Sequence, residues 1–152
     1  MKWRATLLDL IAYSYVALFV YAAISKVLEY DKFVKSINLQ PFDDRWTPLL
    51  VWGLPTIELA AAGLLMFTAT RLYGFLLSLV LMVSFTVYIK LVLSNYYGSV
   101  PCACGGIIRK MDWQEHFWFN LYFVFIGLVG LFLMLSNRKS IQENKALLNP
   151  VG

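Results

Sequence analysis

The sequence predicts an all-α membrane protein, a bundle of four transmembrane helices. Three observations carry that expectation. Of the 152 residues, 60% are hydrophobic and only 14% charged, where a soluble domain carries about a quarter charged residues. The mean hydropathy is +0.66. Four apolar stretches, over residues 7–24, 49–67, 72–93 and 117–135, each reach the roughly 18 residues needed to cross a bilayer. A lone segment in lipid must satisfy its backbone hydrogen bonds internally, so each stretch is expected to be helical. The length fits one domain over 1–152. The net charge of +4 is scattered, without the clustered basic face that nucleic-acid binding requires. The expected surroundings are therefore a lipid bilayer, with no nucleic-acid partner.

The first stretch follows Lys2 and Arg4, as a secretory signal does. Its apolar run is long, however, and Tyr21-Ala22-Ala23 puts a bulky ring where a cleavage site wants a small residue, so it is expected to be retained. Residues 25–48 then carry mixed charge. Within them Asp31-Lys32-Phe33-Val34-Lys35-Ser36-Ile37 has apolar residues at helical spacing, as in a short amphipathic turn lying on the interface. The second and third stretches are joined only by a tight turn over 68–71. The fourth opens on Asp112 and Glu115, the spacing of a capping box. Small residues suited to close helix approach recur: Ala22-Ala23, Ala60-Ala61-Ala62-Gly63, Gly127 and Gly130. Trp46, Trp52, Tyr96, Tyr97, Trp113 and Trp118 gather near one expected boundary, where interfacial aromatics belong.

Lys and Arg nearly tie between the two faces by count. The segments on the side of the termini are shorter and denser in basic residues, so both termini are expected in the cytoplasm and the long connections outside. Asp9 is expected to pair with Lys2 or Arg4 at the inner interface, and Asn120 to hydrogen-bond a neighbouring helix.

The chain's only two cysteines stand in Val100-Pro101-Cys102-Ala103-Cys104-Gly105-Gly106-Ile107. Cysteines one residue apart can close a small ring if the backbone bends sharply, and the following glycines permit that. So short a ring departs from relaxed disulfide geometry and is easily reduced. It closes almost no loop, so it adds little stability. Cys102 and Cys104 are thus the expected redox pair. Two other readings stay open. Two thiolates and His116, the only histidine, form an incomplete set for a soft ion such as Cu(I) or Zn(II); or the cysteines are ordinary loop residues. His116 is also placed to exchange protons near the thiols, since its reference pKa is about 6.5.

Glu58 falls near the middle of the second stretch, where an unpaired carboxylate is expensive. Lys26 ends the first stretch and Lys90 lies about one turn from the outer end of the third, both on the side of the cysteines. A polar cluster of Glu58 with Lys26 or Lys90 beneath the cysteine loop is expected, its ammonium groups favouring a thiolate.

The run ending in Ser25-Lys26, the Pro55-Thr56-Ile57-Glu58-Leu59 stretch, and Pro101-Cys102-Ala103-Cys104-Gly105-Gly106 followed by Trp113-Gln114-Glu115-His116 together resemble the MauE/DoxX group of membrane proteins, in its cysteine-bearing MauE-like branch. The resemblance covers about residues 5–136. It implies a four-helix, redox-associated protein of the bacterial inner membrane. MauE belongs to methylamine utilisation and is associated with disulfide formation in an exported enzyme subunit; DoxX proteins include a subunit of a thiosulfate:quinone oxidoreductase. The expected function is thiol–disulfide exchange with an exported or thioredoxin-like partner. A quinone is a cofactor by family analogy only, and no metal is expected. The alternative is a non-enzymatic membrane assembly or docking subunit, whose cysteine pair is structural or binds a soft metal.

Overall fold

The structure is a computed structural model and describes the backbone of residues 2–40, 43–96 and 112–148. Cys102 and Cys104 therefore lie outside the described residues. The elements are α1 (Lys2–Leu28), α2 (Tyr30–Asn38), a short 3-10 turn (Asp44–Trp46), α3 (Thr47–Met66), α4 (Arg71–Leu93) and α5 (Trp113–Leu148). Four of these are long and apolar enough to cross a membrane: Trp3–Leu28, Asp44–Met66, Arg71–Leu93 and Trp113–Ser136. The all-α, multi-pass architecture expected from the sequence is the one observed. The helices run past the apolar stretches into polar residues at their ends, because a helical backbone in lipid gains by staying paired until water is reached.

The four long helices form a ring, with α1 against α3, α3 against α4, α4 against α5 and α5 back against α1. Each turns one stripe inward at alternating spacings of three and four residues, the periodicity that keeps one helix face in contact with its neighbours. On α1 the buried stripe is Leu8, Ala12, Tyr15, Phe19, Ala22 and Lys26; on α3 it is Val51, Pro55, Glu58, Ala62 and Leu65. On α5 it includes His116, Asn120, Phe123 and Met134. The opposite faces, with Leu10, Trp52, Val80 and Phe125, are exposed and apolar, as lipid-facing positions are.

The inner half of the bundle, toward the N-terminus of α1, is tightly filled. Tyr15 and Phe75 meet edge to face across the ring, and the Tyr15 hydroxyl donates to the Phe123 carbonyl. This is possible because Gly127 faces Tyr15: a Cβ there would collide with the hydroxyl. A Cβ at Gly130 would come within 2.7 Å of the Phe75 ring. Gly63, expected to serve the same purpose, has nothing within 4 Å of where a Cβ would stand. The tightest backbone approach is instead at Gly74, whose Cβ would fall 2.8 Å from the Leu65 nitrogen.

The turn between α3 and α4 explains why. The last carbonyls of a helix lack intrahelical donors. Here Thr70 Oγ1 donates to the Leu64 carbonyl at 2.9 Å and Arg71 Nε to that of Leu65 at 3.2 Å, drawing α4 onto the end of α3. Arg71 Nη1 also donates to Asp9 at 2.6 Å. Asp9 thus pairs across the bundle with Arg71, not with Arg4, whose guanidinium lies over the Trp3 ring. Arg71 is buried and needs the counter-charge, whereas Arg4 is exposed and hydrated.

Candidate functional site

The outer half, where α1 and α4 end and α3 and α5 begin, is built differently. The expected amphipathic turn is the nine-residue helix α2, with Phe33 and Ile37 buried beneath it. Its far end is held twice: Thr47 Oγ1 donates to Asn38 Oδ1 at 2.8 Å, and the Tyr88 hydroxyl donates to Gln40 Oε1. The capping box at the start of α5 forms as expected, with the Asp112 and Glu115 side chains each accepting from the other's backbone N–H at 2.8 and 3.2 Å. This fixes where α5 starts and so fixes His116 on the inner face, 3% exposed, with Asn120 one turn below it.

Lys26 and Glu58 meet here. Lys26 Nζ donates to Glu58 Oε1 at 2.8 Å and Oε2 at 3.0 Å, and lies 3.4 Å from the Ala22 carbonyl. Lys26 is 8% exposed and Glu58 2%. Ala22, four residues before Lys26 and so on the same face, leaves room for α3 to approach. Phe33 of α2 covers the ammonium from outside, its ring centroid 5.9 Å away. Of the two expected partners for Glu58 the structure brings up Lys26. Lys90 is exposed, with its ammonium 5.8 Å from the centroid of the Phe117 ring. Ile89 occupies the inward position of that turn, and the next residue is rotated by about 100° toward the outside.

Beside the pair lies a cavity of about 250 Å³, lined by α1, α2, α3, α4 and α5. Phe19, Leu54, Met82, Phe85 and Phe119 supply apolar walls, while Lys26, Glu58, Gln40, Tyr88, His116 and Asn120 form its polar margin. The sequence leads one to expect Asn120 to bond to a neighbouring helix. Its Nδ2 instead has no hydrogen-bond partner among the described residues, although the residue is only 2% exposed. Glu58, an acceptor that lines the same cavity, is engaged by Lys26.

Lys26, Glu58, His116 and Asn120 are recognisable in the sequence alone, but Gln40 and Tyr88 are not. Tyr88 lies inside an apolar run and looks like an ordinary membrane tyrosine. The spacing of four between His116 and Asn120, and the place of Glu58 in the Val51–Pro55–Ala62–Leu65 stripe, are the signals that put these groups on inward faces. The arrangement offers a neutral ion pair, a free amide donor and aromatic walls inside the membrane.

Neither the comparison with curated proteins nor that with solved structures finds a significant match. The family model described as methylamine utilisation protein MauE matches residues 4–133, which include the whole described bundle up to the inner turns of α5. This chain is a multi-pass membrane protein that belongs to the MauE family.

Proposed function

We propose that the protein is a membrane thiol–disulfide redox protein in which Cys102 and Cys104 cycle between dithiol and disulfide. The observation that carries this reading is the placement of the chain's only two cysteines, one residue apart, in the segment that joins α4 to α5. Both helices end on the side of the bundle that holds the buried Lys26–Glu58 pair. In the exchange, a thiolate of an exported or thioredoxin-like partner attacks the Cys102–Cys104 disulfide and forms a mixed disulfide, which the partner's second thiol resolves. The partner loses two electrons and two protons, and the pair gains both. Family membership fits maturation of an exported protein, such as a component of methylamine utilisation. The protein is read as lying in the bacterial cytoplasmic membrane with its termini inside and the cysteines on the periplasmic face. Lys90, exposed at that face, adds the positive charge that favours the thiolate, while His116 serves to move protons and the neutral Lys26–Glu58 pair lies beneath.

The test is labelling in intact cells with a membrane-impermeant maleimide, with and without prior reduction. Labelling of both cysteines only after reduction, reversed by reoxidation, is the expected result. Cys102→Ser and Cys104→Ser variants should differ, with one of them accumulating a mixed disulfide with the partner. A pair that never reduces, or that copurifies with a metal ion, would instead make this an assembly or docking subunit.

A further inference from the structure

The cavity beside Lys26 and Glu58 is the feature that thiol exchange does not account for. We propose that it binds an uncharged, lipid-soluble molecule whose carbonyl oxygen accepts a hydrogen bond from Asn120 Nδ2. The inference stands apart from the thiol reading, since it rests only on the described helices.

The chemistry of the walls selects the ligand. A buried amide donor without a partner is rare in folded proteins, because it has lost water and gained nothing. Asn120 lines the cavity and its Nδ2 is in that state. What it lacks is an acceptor. The neighbouring charges rule out an ion as the source of that acceptor. Lys26 donates to both Glu58 oxygens, so the pair is neutral as a unit. An anion drawn to Lys26 would meet the Glu58 carboxylate, and a cation drawn to Glu58 would meet the ammonium. An uncharged oxygen suffers neither repulsion. The remaining polar groups of the lining, Gln40, Ser84, Tyr88 and His116, carry no carboxylate or guanidinium, and the rings of Phe19, Phe33, Phe85 and Phe119 suit a flat or chain-like apolar body. The volume of about 250 Å³ is slightly below that of pockets for drug-sized ligands, about 300–1,000 Å³. It therefore admits one or two fused rings, or one end of a lipid chain, and no more.

Two membrane components share this chemistry: the ring carbonyl of a quinone and the ester carbonyl of an acyl lipid. The experiment separates them. Purified full-length protein in detergent micelles is titrated with menadione and, in parallel, with methylnaphthalene, which has the same fused rings and no carbonyl. Asn120→Leu should weaken menadione binding by about tenfold, the loss of one net hydrogen bond, and leave methylnaphthalene binding unchanged. That result assigns the site to a ring carbonyl. Native mass spectrometry forms the second arm. A phospholipid retained by the wild type and lost from Asn120→Leu, with menadione binding only weakly to both, assigns the same site to an ester carbonyl. Leu54→Trp fills the cavity from α3 while leaving Asn120 unsubstituted, and should abolish binding in either case. If Asn120→Leu fails to fold, a preference of the wild type for menadione over methylnaphthalene, abolished in Leu54→Trp, supports the proposal in its place. The proposal is overturned if wild type and Asn120→Leu treat both probes alike and neither retains lipid, for then the cavity holds only water.

Discussion

At the scale of single residues, the Lys26–Glu58 pair carries the largest consequence. Two ions taken from water lose several kcal/mol of hydration each, and their attraction at 2.8 Å roughly offsets that loss. Such a pair adds little net stability while intact, but removing one partner strands the other charge. Lys26→Met alone, or Glu58→Leu alone, should therefore lower the unfolding free energy by about 3–5 kcal/mol. The double variant should return to within about 1 kcal/mol of the wild type, since two apolar side chains replace a neutral pair of similar volume. Reversible unfolding in mixed micelles measures all four corners of this cycle. Additive losses in the double variant would mean that the two residues act separately. That Glu58 requires a partner is legible in the sequence, because a carboxylate in mid-span cannot reach water. Which lysine it takes is not, since Lys26 and Lys90 both lie toward the same end of the bundle and only the rotation of their helices decides that Lys26 is buried and Lys90 exposed.

At the scale of elements, the number and nature of the long helices were legible because lipid demands long apolar runs and tolerates little else. The inward faces were less so. Lipid-facing and core-facing positions are equally apolar here, so hydrophobic periodicity carries almost no signal, and only polar or small residues mark the inside. That marking holds for Ala61 and Ala62, which are buried, and fails for Ala60, which is exposed, and for Gly63, which meets open space. It also missed Gly74, because a lone glycine near a helix start looks like any other. The two glycines make a direct comparison. At Gly74 a Cβ would press on α3 backbone, which cannot turn aside as a side chain does. Gly74→Ala should therefore destabilise the bundle by about 1–3 kcal/mol, the range for overpacking. Gly63→Ala meets open space and loses only backbone freedom in the unfolded chain, so it should be neutral or stabilising by up to about 1 kcal/mol. Thermal unfolding of both variants in the same detergent checks the ordering, and equal effects would show that α3 and α4 do not approach as described.

At the scale of the whole molecule, the two ends of the bundle are built for different things. The inner half is filled by Tyr15, Leu65 and Phe75 and clamped by Arg71 against both Asp9 and the end of α3. The outer half surrounds a cavity and is roofed by α2, a helix of nine residues. So short a helix is marginal by itself and persists through its tertiary contacts: Phe33 and Ile37 below, Asn38 with Thr47, and Gln40 with Tyr88. This asymmetry was only partly readable in advance. The amphipathic pattern of 31–37 announced an interfacial helix, but not that it would cover a hollow, since hollows depend on how neighbouring helices tilt and fill. Local opening free energy follows local packing, so the roof should open long before the inner core does. In hydrogen–deuterium exchange on micelle-solubilised protein, amides of residues 30–40 should exchange faster than those of 8–19. Tyr88→Phe removes one hydrogen bond from the roof and leaves the ring in place. It should speed exchange over 30–40 by about fivefold to tenfold, the effect of roughly 1 kcal/mol, with no change over 8–19. A uniform acceleration along the chain would mean that roof and core open together. The confined response instead makes α2 a separately opening element, held to the bundle by its own contacts and not by the packing of the inner core.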